Sequence, residues 1–309
     1  MKEFIAEISS RKNVKRKDLL EKDILIQKIL LDLSKDEFFS KNLAFKGGTC
    51  LIKCYLGYFR FSEDIDFTWI DQSRFKDQSS KQIRKIISEI KDKIGEILEN
   101  ISKKRGLDFV LDKNNKKYVE FGGGNKIVTF KIWYRSEILK ELSFIKIQIN
   151  FVEDIKFKIS KKNVGCLLKD KDDKELEVLF EDDYNDYSSE ITLYTYDVKE
   201  ILCEKVRAIL TRRGIKARDF VDLCLIGSSF HVDVKDFMQE IIDKTKFMIE
   251  QYKKYQDNIN EKLKLLSSKD FFQWGTEKEL LLKTIDEKKF NRFVQELQEV
   301  LKDIGKEFV

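Results

Sequence analysis

Between residues 108 and 153 the apolar residues of this chain fall on every second position, whereas almost everywhere else they recur every three or four. A period of two suits strands of a half-buried sheet, and a period of three to four suits amphipathic helices, so the chain must build both. FVLD, KYVEF, IVTFKIWY and FIKIQINFVED read as strands of an antiparallel meander. Gly122-Gly123-Gly124-Asn125 sits between two of them and reads as a hairpin loop rather than a phosphate loop, because no helix follows it.

Residues 15–42 and 74–104 read as helices, the second with Ile83, Ile86, Ile87, Ile90, Ile94 and Leu98 as its apolar stripe. A further helix is expected from Thr49 to about residue 58, and residues 59–69 alternate as a strand does. The acidic run KDKDDKELEVLFEDDYNDY, residues 169–187, reads as a solvated loop and edge strand. ITLYTY then leads into a helix from residue 198 to about 213, ended by Gly214, and another over residues 216–226; beyond Ser228 the pattern stays charged and helical. The expected fold class is α+β, with a sheet core and flanking helices over residues 1–197 and a helical domain over residues 198–309.

Lys and Arg number 60 against 55 Asp and Glu, a net charge of +5 that permits a nucleic-acid partner without demanding one. Five scattered cysteines do not make a disulfide framework, and Cys50 and Cys54 lack the further ligands of a zinc site. The lone histidine, His231, reads as a loop or cap residue, which leaves little room for imidazole chemistry. No apolar run reaches the ~18 residues a membrane span needs and no signal peptide opens the chain, so a cytoplasmic protein without membrane association is expected.

Two groups of residues carry chemistry. The first is Lys46-Gly47-Gly48-Thr49 followed by Arg60-Phe61-Ser62-Glu63-Asp64-Ile65-Asp66-Phe67. Two glycines before a helix let backbone approach a ligand, and the helix start offers unpaired N–H groups to a phosphate. A Gly-Gly pair alone is an ordinary turn. The carboxylates downstream change its meaning: on a strand Asp64 and Asp66 face one way, roughly 7 Å apart, while Ile65 and Phe67 face the core. Two such carboxylates repel unless a cation lies between them, and Mg²⁺ takes carboxylate and phosphate oxygens together. The alternative is a solvated strand face near Arg60.

The second group lies in the segment from Glu200 to Leu223. Lys205 and Arg212 are seven apart, which stacks them on one helix face across the small Ala208, a spacing suited to a triphosphate. Asp219 and Asp222 share one side of the following helix. The alternative is a set of surface ion pairs, such as Arg218 with Asp222.

Gly47-Gly48 with Asp64-x-Asp66 resembles the signature of the polymerase-β-like nucleotidyltransferases. The wording around it, with the Lys-x-x-Ala-x-x-x-Arg helix at Lys205 and Arg-Asp-x-x-Asp-Leu at Arg218, is similar to the AbiEii type: nucleotidyltransferase toxins of toxin–antitoxin and phage-abortive systems. The resemblance spans residues 20–226. It implies a polymerase-β-like core and transfer of a nucleoside monophosphate from an NTP to an acceptor, releasing pyrophosphate. Asp64 and Asp66 would be ligands of Mg²⁺ or Mn²⁺ and catalytic. Gly47, Gly48 and Thr49 would lie against the triphosphate, with Ser62 near the metal. Lys205 and Arg212 would contact phosphates, Asp219 would be a catalytic or Lys-positioning acid, and Asp222 would help hold the nucleotide site.

The same resemblance implies an RNA acceptor, the tRNA 3′ end, and a cognate antitoxin. It also implies a third acid on the strand Phe144-Ile145-Lys146-Ile147-Gln148-Ile149-Asn150-Phe151, where Gln148, or failing that Asn150, occupies the place. Either Gln148 is a neutral oxygen ligand, or two carboxylates alone hold the metal; Glu153 and Asp154 fall beyond the sheet centre. The charged C-terminal part offers Lys244, Lys246, Lys253, Lys254, Lys262 and Lys264 to RNA phosphates, or simply a solvated helix face. The missing acid motivates one rival reading, a catalytically degenerate nucleotide- or RNA-binding protein; a second rival is an enzyme whose acceptor is a protein or small molecule.

Overall fold

The alternating segments assemble into one seven-stranded sheet: β1 (Leu43–Lys46), β2 (Asp64–Trp69), β3 (Val119–Gly122), β4 (Ile127–Arg135), β5 (Leu142–Asn150), β6 (Ser160–Asn163) and β7 (Thr192–Thr195), in the spatial order β3-β4-β5-β2-β1-β7-β6. The computed structural model describes residues 1–168, 174–268 and 271–308. The chain divides into two compact units, Met1–Glu153 with Ile159–Thr195, and Asp154–Lys158 with Tyr196–Val309.

The sheet belongs to the first unit. β3, β4 and β5 form the expected antiparallel meander, with residues 123–125 in the hairpin loop. β5 then runs parallel to β2, and β1 pairs antiparallel with β2 and parallel with β7, so the sheet is mixed and β2 lies at its centre. Alternation in β4 and β5 buries Val128, Phe130, Ile132, Ile145, Ile147 and Ile149 on one face.

The helices of this unit are α1 (Lys2–Arg11), α2 (Lys17–Lys35), α3 (Glu37–Asn42), α4 (Gly47–Leu51), α5 (Ser80–Arg105), α6 (Lys174–Leu179) and α7 (Glu181–Ser188). Local chemistry corrects several expected boundaries. The single helix expected over residues 15–42 breaks at Asp36, which is extended and caps α3 by accepting from Phe39 N at 2.7 Å. The helix expected from Thr49 starts at Gly47 and widens over Ile52–Leu56 into a π-type turn. Residues 59–63 are not strand: Arg60 turns its guanidinium back onto the Phe61 carbonyl, 2.7 Å away. The FVLD segment, residues 109–112, forms no strand: only the preceding Asp108 makes an isolated bridge, to Trp133, and Asp112 and Asn115 hold the residues that follow in side-chain-capped turns. A capping box of Ser79 with Gln82 starts α5, and Gly106 in the left-handed region ends it.

The acidic run departs most from expectation. Residues 169–173 lie outside the described residues; the rest forms α6 and α7 rather than an edge strand. Its acids meet basic partners within the unit: Glu175 pairs with Arg11 at 2.8 Å, Asp183 with Lys28 at 2.6 Å, and Asp186 with Arg105. Beneath them, buried Asp23 binds Lys53 at 2.8 Å, Tyr58 at 2.8 Å and Tyr187 at 2.7 Å, tying α2 to the turn after α4 and to α7.

The second unit consists of α8 (Val198–Thr211), α9 (Ala217–Phe230), α10 (Met238–Gln251), α11 (Lys254–Leu266) and α12 (Glu287–Lys306). His231 caps α9 with φ 54°, a loop-and-cap role as expected. Among the described residues no helix is long and apolar enough to cross a membrane. Residues 154–158 join this unit through Glu200, whose carboxylate accepts from Lys156 N and Phe157 N, both at 2.8 Å, and pairs with Lys244 at 2.5 Å. Lys244 also donates to the Asp154 carbonyl. Both charged side chains are fully buried. Lys244→Met therefore leaves Glu200 charged and unpaired, and is expected to lower unfolding free energy in urea by about 3–5 kcal/mol, against about 0.5 or less for exposed Lys246→Ala.

Candidate active site

The turn from β1 into α4 is built on the polar face of β2. Lys46 is extended and Gly47 takes φ +76°. A Cβ on Gly47 would lie 2.3 Å from Asp66 Oδ2, so both conformation and space require glycine there. A Cβ on Gly48 would lie 2.7 Å from Arg60 Nη2 and 3.3 Å from Ser62 Oγ. Thr49, one residue further, is buried, and its hydroxyl bonds Ser62 Oγ at 2.9 Å and the Asp64 carbonyl. Gly47, Gly48, Thr49 and Ser62 thus lock the turn to the strand that carries Asp64 and Asp66.

Ile65 and Phe67 are fully buried, while Asp64 and Asp66 share the opposite face, half-buried. Register completes the layer: Asp66 lies opposite Lys46 on one side and Gln148 on the other, and Asp64 lies opposite Lys146. Directly opposed residues point to the same face, so Gln148 stands beside Asp66 at the place expected for the third acid. It is exposed. Asn150 is buried instead, and its Nδ2 donates to Glu153 Oε2 at 2.8 Å.

Among the described residues no group of three or more Asp, Glu, His or Cys is arranged to hold a metal by itself. The layer still fits a hard divalent ion: two carboxylates on one face, the Gln148 amide oxygen beside them, and ligand phosphates to fill the remaining positions. Two residues were not recognised from sequence. Glu153, set aside as lying beyond the sheet centre, is buried, with Oε2 3.6 Å from Lys46 Nζ. Gln72 accepts from Glu153 N at 2.9 Å and donates to the Phe151 carbonyl at 3.1 Å, which returns this segment to the sheet. The one sequence signal was an acid just after a strand that bears a buried-side amide.

The second group gathers within the other unit. Lys205 Nζ lies 3.0 Å from Asp219 Oδ1 and 2.5 Å from Asp222 Oδ2, and Arg212 Nη1 lies 2.8 Å from Asp219 Oδ2. Burial pushes the Asp219 carboxyl up, but Lys205 and Arg212 outweigh it and hold it below the usual carboxylate range. Lys205 and Arg212 do not share a helix face as expected. α8 ends at Thr211, before Gly214, and Arg212 is extended with 46% of its side chain exposed. The helix stops there because α11 takes over its end: Asn258 donates to the Thr211 carbonyl at 2.7 Å, and Lys262 to the Gly214 carbonyl at 2.9 Å. Lys262 and Lys244 are therefore buried structural cations, contrary to their expected place on an RNA-facing surface, and burial pulls Lys262 down to about 8. Lys246, Lys253, Lys254 and Lys264 are exposed.

The family described as nucleotidyl transferase AbiEii toxin, type IV TA system, matches residues 28–307. No sequence among the curated proteins matches. Among solved structures, MenT4, a nucleotidyltransferase toxin from Mycobacterium tuberculosis H37Rv, is similar at 17% identity and TM-score 0.54, covering 98% of this chain and 92% of its own. JHP933 from Helicobacter pylori aligns at 15% identity and TM-score 0.44 over 94% of each chain. At such identities the structural likeness concerns the fold, and it supports the α+β nucleotidyltransferase architecture. With its family model matched over nearly its whole length, the chain belongs to the AbiEii nucleotidyltransferase toxins of type IV toxin–antitoxin systems.

Proposed function

We propose that this nucleotidyltransferase moves a nucleoside monophosphate from an NTP onto an RNA hydroxyl at the tRNA 3′ end, in a reaction that depends on a divalent cation. The observation that carries the reading is the seat of Gly47 against Asp66, which sets a phosphate-ready turn directly on a strand bearing two carboxylates. The acceptor oxygen attacks the α-phosphorus, the bond from that phosphorus to the bridging oxygen breaks, and pyrophosphate leaves. Mg²⁺ or Mn²⁺, when bound, stabilises the attacking and leaving oxygens. Asp64 and Asp66 hold it, with Gln148 as a neutral third donor. Ser62 and Thr49 fix the strand and the turn. Lys205 and Arg212 neutralise phosphate charge, and Asp219 and Asp222 position Lys205. A cognate antitoxin is the partner expected of a type IV toxin, and the cytoplasm supplies both NTP and tRNA.

The neutral Gln148 beside Asp66 favours one rival, a nucleotide-binding protein that has lost its chemistry. Incubation with Mg²⁺, each α-labelled NTP in turn and total tRNA separates the two. Label on RNA is expected, falling by about 10³-fold or more in Asp64→Asn and Asp66→Asn, the size of a lost metal contribution. NTP binding with no label on RNA, protein or small molecules overturns the reading in favour of the rival; label on protein moves the acceptor.

Asp219 carries a separate expectation. Because its folded pKa is depressed, its ionised form stabilises the native state above the unfolded value near ~3.9, and this contribution disappears as pH falls through the folded value. The stability gap between the native chain and Asp219→Asn, measured by urea unfolding, is expected to be open at pH 7 and to close as pH drops below about 4.

A further inference from the structure

Arg212 reaches Asp219 only because α8 stops one residue before it. On a helix continued past Thr211, Arg212 would stand two turns beyond Lys205, roughly 10 Å along the axis. The chain is instead extended at Arg212, with φ −84° and ψ 146°. Its Nη1 lies 2.8 Å from Asp219 Oδ2, while Lys205 Nζ lies 3.0 Å from Oδ1, so one carboxylate gathers both cations. The glycine nearby does not make the stop: Gly214 takes no positive φ, as the left-handed cap of a helix end would.

Two side chains one turn apart on α11 make it. Asn258 Nδ2 donates to the Thr211 carbonyl at 2.7 Å, and the fully buried Lys262 donates to the Arg213 and Gly214 carbonyls at 3.3 and 2.9 Å. Three of the four carbonyls of residues 211–214 are thus occupied from outside the helix. The turn they hold lines, with the first half of α11, an open cleft of about 790 Å³, and Arg212 stands in its wall with 46% of its side chain exposed. A guanidinium carries five N–H donors, and the bond to Asp219 uses one of them. We infer that Asn258 and Lys262 are positioning residues for phosphate binding: by holding residues 211–214 off the helix, they set the Arg212 guanidinium at Asp219 beside Lys205. Without either donor, carbonyls of the turn lose their partners, and the turn relaxes toward further helical hydrogen bonds that carry Arg212 away from Asp219. The inference rests on Lys205 and Arg212 being phosphate ligands, as proposed above.

The test is the NTP affinity of the full chain, read by equilibrium dialysis with Mg²⁺ and α-labelled ATP, GTP, CTP and UTP in turn, alongside melting temperature. Arg212→Ala is expected to weaken binding about tenfold or more, the scale of a lost hydrogen bond to a charged group. Lys262→Met and Asn258→Leu keep Arg212 but release its turn, and each is expected to weaken binding about threefold or more. In the Arg212→Ala background, the same two substitutions are expected to change affinity by less than about twofold, because they act through Arg212 and their effects do not add to its loss. A merely structural role would lower the melting temperature and either leave affinity alone or weaken it equally in both backgrounds. Native affinity in folded Lys262→Met and Asn258→Leu, or an undiminished loss in the Arg212→Ala background, overturns the inference. If Lys262→Met does not fold, Asn258→Leu, at a half-buried position, carries both comparisons. If Arg212→Ala binds NTP as the native chain does, or the native chain binds none, the phosphate role proposed for Arg212 fails and takes the inference with it, a result distinct from the others because it needs no variant of α11.

Discussion

The space above Asp66 admits no side chain. Gly47 sits so close to that carboxylate that an added methyl group would come within 2.3 Å of its oxygen, and much of the first unit follows from this approach. For backbone to lie there, β1 must end beside the middle of β2, the chain must turn with a positive φ, and α4 must start at once. The consequence is chemical as well as steric. The start of a helix and a half-buried aspartate come together beside the exposed Gln148.

Within each of the two units, charged groups distant in sequence are buried in pairs. Asp23 meets Lys53, Lys46 meets Glu153, Glu200 meets Lys244, and Lys205 meets Asp219 and Asp222. Each pair joins elements remote in sequence or fixes a side chain of the candidate site. The physical reason is common to all four. An unpaired buried charge is far more costly than a paired one, so each partner dictates where the other can lie. Such pairs specify a structure more than they strengthen it, and they give long flexible lysines one defined position.

Much of this was legible in the residues. Alternation located β4 and β5, and the Gly-Gly pair with the two aspartates marked the turn and strand that meet. What escaped was any interaction between segments far apart in sequence. The acidic run read as solvated because its composition does not reveal that Arg11, Lys28 and Arg105 wait on other helices. Lys244 and Lys262 read as surface cations because helical spacing does not say which face a neighbour covers. α8 ends sooner than its sequence pattern suggests because its stop signal is supplied by Asn258 and Lys262 of α11, not by the local sequence.

By itself the sequence determined most element types, through hydrophobic period, and marked the Gly47-Gly48 turn and the Asp64-x-Asp66 strand of the candidate site, through their local spacing. Those are short-range properties, set by backbone geometry within a few residues. Only the tertiary structure decided which strands are neighbours, and so that Lys46 and Gln148 flank Asp66 and that Glu153 is buried behind them. Strand order depends on the packing of the whole sheet against its helices, and no local pattern along the chain records it.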